Sequence, residues 1–480
     1  MVRRRFALAL SAGALLSLAM RDSGTGYLAV AAFVPLLAAL DGERSPLRAG
    51  LLLALAWTGL AIPAIEGTVL VLWWAFPLIL AGHGIVWLLA GVAHALVARG
   101  RYSTPMLLPL IVTAMEYVSA RRSVFGDAAL ELLAYTQADT LLLRVAPWSG
   151  TSGVTLAAAA LGCGGYWLLV KRPRPAVWTV VVLTAVLLTP VPGVDDAPTP
   201  GSVRVGVVQS AEEAVVSMLA KYDDGLMTQR MARFESLTRA GVDRGAELVV
   251  WGETVLPGEG MTERLPASAV RALLAAPVVL AGSRERAADG LFNSTFAWRG
   301  SDLELVARKQ ALVPVIEAHY SRGAPVEPVS LQGARVAAFV CLDSLHGSLS
   351  RESVRRGAEM IVYVTDDTFA SGTATPWFHL ATAALRAAES GRSVVFANEH
   401  GPSALITPRG DRVASSEPGE PAVLVADLEM RTGTTPYAAL GDLVGPVACV
   451  LVGVAGASRG RPRFPHRGVP DSVDERHVRR

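Results

Sequence analysis

The sequence predicts a multi-span α-helical membrane bundle of eight crossings joined to an α/β domain outside the lipid. Three observations carry that expectation. Mean hydropathy is +0.39 over 480 residues. Apolar runs crowd the chain before Pro190 and return once near its end. Between them the rhythm changes to short β-rich runs separated by amphipathic helical stretches. With 51% apolar residues the chain is too apolar to be wholly soluble, and it is too long for one ordinary domain. A formal net charge of +2 offers no footprint for a nucleic-acid partner.

Arg3 to Arg5 precede an apolar run over residues 6–20 that alone could pass for a signal peptide. The runs that follow argue against cleavage: 27–40, 49–63, 69–98, 106–118, 151–170, 176–188 and finally 443–456. The fourth is long enough to span a hydrocarbon core of about 30 Å with length left for tilt. Short connections rich in Lys and Arg stay in the cytoplasm. Eight crossings put Arg3 to Arg5, the turn 43–48, Arg99 with Arg101, the turn 171–174 and the tail arginines 459, 461, 463 and 467 on that side; Arg121 and Arg122 are the exception. Residues 1–195 are then a seven-crossing bundle, with 196–436 on the extracytoplasmic face. Residues 437–480 supply the last crossing and a basic cytoplasmic tail. The Pro-rich stretch 190–200 reads as the linker.

Within the extramembrane part, strands are expected at 203–209, 248–251, 278–281, 336–340, 360–364, 393–398 and 403–407. A hairpin pairs 292–298 with 303–308 through the turn 299–301, and helices cover 218–241, 350–357 and 377–390. Strands alternating with helices imply an α/β layer structure. The chain shows no internal repeat.

Three polar residues close apolar runs, where strand tips in α/β folds open into sites: Glu253 after 248–252, Lys309 after 303–308 and Cys341 after 336–340. A thiol that attacks a carbonyl must lose its proton to a base, and the oxyanion formed needs a positive donor. Glu253 fits the first task and Lys309 the second, with a backbone N–H beside Cys341. Each also has an ordinary reading: a small buried hydrophobe for Cys341, a solvated strand end for Glu253, a surface charge for Lys309. The other cysteines, Cys163 and Cys449, fall in apolar runs, so the extramembrane part has no internal disulfide. Glu116, costly in lipid, is a functional candidate or reaches the interface. His83 and His94 read as packed or snorkelling, and no His/Cys spacing suggests a metal.

Three blocks carry a resemblance: Trp251-Gly252-Glu253-Thr254, the segment from Arg308 and Lys309 through Pro314-Val315-Ile316-Glu317, and Cys341-Leu342-Asp343. They resemble the signature blocks of the nitrilase superfamily, and more narrowly those of bacterial apolipoprotein N-acyltransferases. The likeness extends over nearly the whole chain, through Tyr135-Thr136-Gln137-Ala138-Asp139, Ala146-Pro147, Gln209, Asn293-Ser294, Arg386 to Arg392 and Pro436-Tyr437-Ala438 with Gly441-Asp442. It implies eight crossings with a nitrilase-like αββα sandwich inserted before the last, in a bacterial inner membrane. It further implies a cysteine thioester that carries an acyl chain from a phospholipid donor to the free α-amine of a diacylglyceryl lipoprotein acceptor. Glu253 would be the base, Lys309 the oxyanion stabiliser and Glu317 a second acid holding the site, with Asp343 in support, no cofactor and a monomer as the working unit.

The chain departs from that pattern in places. Cys341-Leu342-Asp343 stands for Cys-Tyr-Glu, Thr365-Asp366-Asp367-Thr368-Phe369-Ala370 for Asn-Asp-Ala-Trp-Phe-Gly, Val315-Ile316 for Phe-Gly, Gly252 for proline and Ser119 for an arginine. Two competing outcomes follow from altered flanks: a membrane-tethered hydrolase in which water resolves the thioester, or a non-catalytic relative that binds lipid or lipoprotein.

Overall fold

The computed structural model describes residues 2–21, 24–98, 106–121, 131–195, 201–213, 219–220, 223–256, 265–300 and 302–457. Arg99, Arg101, Arg122, the end of the Pro-rich linker, the first residue of the helix expected from 218, Ser301 and the arginine-rich tail lie outside them.

The amino-terminal part is mostly helical, and three of its helices are long and apolar enough to cross a membrane: Pro46–Ile65, Ala75–Ala98 and Leu141–Leu169. Val2–Arg21, Tyr27–Leu40, Leu107–Arg121 and Pro173–Leu188 pack around them, and Val444–Ala457 returns to lie against Leu107–Arg121. Small residues let the backbones approach. A Cβ on Gly59 would stand 2.0 Å from the Gly13 carbonyl, and one on Gly91 2.4 Å from that of Ala49. Trp57 and Trp87 stack with centroids 4.1 Å apart, with Phe33 edge-on to Trp57 at 5.9 Å.

Two features differ from the expected elements. The run 69–98 is not one helix: Gly67–Leu72 ends at Trp73-Trp74 and Ala75–Ala98 starts afresh. Pro77 has no N–H to donate to the Trp73 carbonyl four residues back, which marks the break, and tertiary contacts anchor the short helix at its start. The Gly67 N–H donates to Thr375 Oγ1 at 3.3 Å and Glu66 accepts from the Ala374 N–H at 2.5 Å, so the short helix is held by the α/β domain. The sixth run begins earlier than expected, at Ala146, and kinks where Gly150 takes φ 65°. Glu116 lies inside the bundle and not at its edge, accepting from the Leu133 N–H (2.9 Å) and from Thr155 Oγ1 (2.6 Å). His83 is packed as expected, its ring between Glu131 and the Trp57 carbonyl.

The α/β domain holds two six-stranded sheets. One runs β12-β1-β2-β3-β4-β5, from β1 (Ser202–Gln209), β2 (Leu248–Val250), β3 (Val278–Ala287), β4 (Gly290–Arg299), β5 (Asp302–Arg308) and β12 (Ala422–Glu429). The other runs β11-β10-β9-β8-β7-β6, from β6 (Val329–Leu331), β7 (Ala334–Val340), β8 (Met360–Thr365), β9 (Ser393–Asn398), β10 (Ala404–Ile406) and β11 (Arg412–Ser415). The centres are parallel, β1-β2-β3 and β7-β8-β9. Period-two alternation decides which way each side chain faces. Val205, Val207, Leu248 and Val250 join the core between the sheets, whereas Val208, Val249 and Trp251 face the helix Asp224–Asp243 through Met231 and Phe234. The helix Thr375–Ser390 covers the second sheet and also packs on Ala146–Leu169, where Thr151 donates to Glu389 at 2.7 Å. The layers are helix, sheet, sheet, helix. Strands β6, β11 and β12 and the helix Ala267–Leu273 have no counterpart among the expected elements. β6 and β11 are short and partly exposed, and β12 is fixed by antiparallel pairing with distant β1.

Close approach at Gly59 predicts that Gly59→Ala costs about 1–3 kcal/mol through overpacking. Gly82, with nothing within 4 Å of its added Cβ, should tolerate alanine without loss. Thermal unfolding of the two variants in detergent checks the contrast.

Candidate active site

The site is assembled from strand tips. Glu253 leaves the end of β2 through Gly252, where a Cβ would crowd the Thr365 carbonyl at 3.0 Å, and passes Gly282 of β3, whose Cβ would stand 2.7 Å from the Glu253 Cα. At Gly282 no side chain fits without moving backbone, so the chain itself presses Glu253 into place. Its Oε1 accepts from Asn293 Nδ2 at 2.6 Å and from Lys309 Nζ at 3.3 Å, and its Oε2 from the Asp366 N–H at 3.1 Å.

Lys309 follows β5 directly and its backbone N–H donates to the Asn293 carbonyl at 2.7 Å. The ammonium is 1% exposed and bridges Glu253 to Glu317, whose Oε1 is 2.8 Å away. Glu317 is itself tied down by the Val313 N–H on Oε2, at 2.7 Å. A charge this deep is tolerated only when paired and hydrogen-bonded. Burial opposes the ammonium, but Cys341, Glu253 and Glu317 together hold it well above its usual range. Burial also pushes the Glu253 carboxyl up, against the pull of Lys309. A carboxylate with raised proton affinity is what a general base needs.

Cys341 ends β7 with φ 49°, a left-handed backbone that a residue with a Cβ adopts only under constraint, and opens the 3-10 turn Cys341–Leu345. Burial and then Glu253 push its thiol well above the ordinary range, so the resting group is S–H. The constraint comes partly from Asp343, whose Oδ1 accepts from the Ala311 N–H (2.7 Å) and the Gln310 N–H (3.1 Å) and whose Oδ2 accepts from the Val340 N–H (3.1 Å). One carboxylate thus staples the residue before the thiol to the residues after the lysine. Burial pushes this carboxyl up to about 7 while those donors pull it down.

All three groups open into one cavity of about 740 Å³. Its far wall is apolar and comes from the bundle: Val71, Leu72, Trp74, Leu78 and Ile79, with Val315, Ile316 and Phe369 on the domain side.

Residues 12–164 match the family model for the apolipoprotein N-acyltransferase N-terminal domain, and 206–437 match that for carbon-nitrogen hydrolases. The apolipoprotein N-acyltransferase of Geobacter metallireducens is 26% identical, over 93% of this chain and 94% of that one. That of Shewanella oneidensis is 24% identical, over 82% and 81%. The chain belongs to the apolipoprotein N-acyltransferase family. Among solved structures, Nit3 of Saccharomyces cerevisiae, a member of branch 10 of the nitrilase superfamily, aligns with a TM-score of 0.39 and 19% identity, over 48% of this chain and 91% of that one.

In this acyltransferase relative the five residues singled out from the sequence, Glu253, Lys309, Glu317, Cys341 and Asp343, meet in one place. Sequence reasoning assigned no role to Asn293, which orients Glu253, or to His379, Asp367 and Asn398 behind the cysteine. A signal existed for His379. With Thr382, Arg386 and Glu389 it repeats at three- and four-residue spacing, a buried polar stripe on a helix whose other faces are apolar.

Asp343→Asn puts an NH2 where Oδ2 now accepts or leaves one backbone N–H without its oxygen. We expect a loss of about 1–3 kcal/mol in thermal stability and at least about a tenfold fall in turnover as the Cys341–Lys309 spacing relaxes. Parallel melting and rate measurements check both.

Proposed function

We propose that this protein transfers a fatty acyl chain from a membrane phospholipid, through a thioester on Cys341, to the α-amine of a diacylglyceryl-cysteine lipoprotein. The observation that carries the reading is the single cavity. A thiol, a carboxylate and an ammonium stand at one end, and a wall of Val71, Leu72, Leu78 and Ile79 from the bundle can take an acyl chain.

In the first half-reaction Cys341 Sγ attacks the ester carbonyl carbon as Glu253 takes the thiol proton. The oxyanion is met by the Lys309 ammonium and by the Leu342 N–H, which lies in the first turn of its 3-10 segment and has no intrahelical acceptor. Collapse breaks the ester C–O bond, and the lysophospholipid oxygen leaves with the proton from Glu253. In the second, the lipoprotein amine attacks the thioester, an amide forms, and the amine's proton returns to the sulfur by way of Glu253. Glu317 keeps Lys309 in place throughout.

In this reading residues 1–195 and 437–480 make eight crossings of a bacterial inner membrane. Residues 196–436 are extracytoplasmic, where the short connections rich in arginine are not. The working unit in this reading is a monomer.

Cys341→Ser should stop N-acylation in cells while lipoproteins keep their diacylglyceryl group. Intact-mass analysis of one lipoprotein from the two strains would show the loss of a single acyl chain. Full N-acylation in the Cys341→Ser strain would overturn the proposal.

A further inference from the structure

Behind the cysteine lies a second charged assembly that the acyl-transfer steps do not use. His379 Nδ1 faces both oxygens of Asp367, at 3.0 and 3.1 Å, and its Nε2 faces the backbone carbonyl of Cys341 at 3.1 Å. Asn398 fixes the roles. Its Oδ1 accepts the N–H groups of Asp367 (3.1 Å) and Gly401 (3.0 Å), so its amide nitrogen must be what meets Asp367 Oδ2, at 2.6 Å. Asp367 Oδ2 is therefore an acceptor, as is the Cys341 carbonyl, and the proton between Asp367 Oδ1 and Nδ1 sits on the ring because imidazole is the stronger base. A neutral imidazole donates from one nitrogen only. Two acceptors on opposite nitrogens require the doubly protonated ring.

We infer that His379 is an imidazolium whose task is positioning: held by Asp367, it grips the Cys341 carbonyl and thereby aims the Leu342 N–H at the oxyanion. The link is covalent geometry. The carbonyl of Cys341 and the N–H of Leu342 belong to one planar trans peptide and point opposite ways, so fixing one fixes the other. The positive φ of Cys341 makes this peptide the strained one in the turn, where an external hold matters most. Asp367 is also one of this chain's departures, standing where the resembling block has alanine.

The charged and titratable groups around the ring are Asp367 after β8, Cys341 after β7 and Glu253 after β2. Phe396 of β9 offers only a ring edge, 5.2 Å between centroids. Burial opposes the charge on His379, but Asp367 and the two hydrogen bonds raise its proton affinity above the ordinary value. The charge is present below that raised pKa and lost as pH rises through it.

The inference rests on Cys341 being acylated, and an activated ester such as p-nitrophenyl butyrate tests it without any lipoprotein. The acylation burst should lose its alkaline limb about one pH unit earlier in Asp367→Asn than in the unaltered protein, since the ring loses its counter-charge. His379→Ala should slow the burst by about tenfold or more, as for a misaligned oxyanion donor, with half-saturation by the ester unchanged. Alkylation of Cys341 by iodoacetamide forms no oxyanion, and should fall far less, by about threefold at most. His379→Gln, which keeps one donor without charge, should recover part of the burst. Coincident alkaline limbs for Asp367→Asn and the unaltered protein, or equal losses of acylation and alkylation in His379→Ala, would overturn it. Failure of N-acylation in cells with a normal ester burst would instead count against the lipoprotein acceptor and leave this inference supported.

Discussion

A single buried ammonium organises the catalytic end of this molecule. Lys309 is almost wholly removed from water, and a bare ammonium there would cost several kcal/mol. It persists because Glu253 comes from β2, Glu317 from the loop after β5, and both reach Nζ within 3.3 Å. That pairing fixes three separate pieces of chain relative to one another. It also sets the chemistry. Two carboxylates and one ammonium leave the cluster short of positive charge, and burial raises the proton affinity of Glu253, so the site can take a proton from a thiol without stabilising a free thiolate beforehand.

Around this cluster the backbone is drawn tight. Gly282 admits no Cβ, Cys341 is held at positive φ, and Asp343 binds the residues before the thiol to those after the lysine. The bundle contributes little to this geometry and much to the cavity. The short helix Gly67–Leu72 and the start of Ala75–Ala98 supply its apolar wall, and Glu66 and Gly67 are tied to residues 374 and 375 of the domain. A chain expected to be one long span is broken so that part of it can line the site. An apolar wall and the thiol are brought together by that break.

How much of this was legible depended on range. The α/β rhythm, the apolar runs and the strand tips at Glu253, Lys309 and Cys341 were readable because each is written in a few consecutive residues. Their roles were suggested by chemistry and narrowed by resemblance, since a separation of 56 residues between Glu253 and Lys309 leaves no local trace. Asp343 and its three donors, and the chain from Asn398 through Asp367 to His379, come together only once β7, β8 and β9 lie side by side and β5 packs against β7 from the other sheet. The break at Trp73-Trp74 did leave a local trace, since Pro77 has no N–H for the Trp73 carbonyl, but the hold of Thr375 on Gly67 exists only in the tertiary fold.

The central claim is that the sulfur of Cys341 carries the acyl chain. Peptide-level mass measurement of the purified protein after incubation with phospholipid alone addresses it directly. The account predicts one acyl group on the peptide holding Cys341, at most one per chain, released on adding an amine acceptor. An unmodified Cys341 would contradict it, whereas continuous release of free fatty acid from an acylated Cys341 would make water the acceptor.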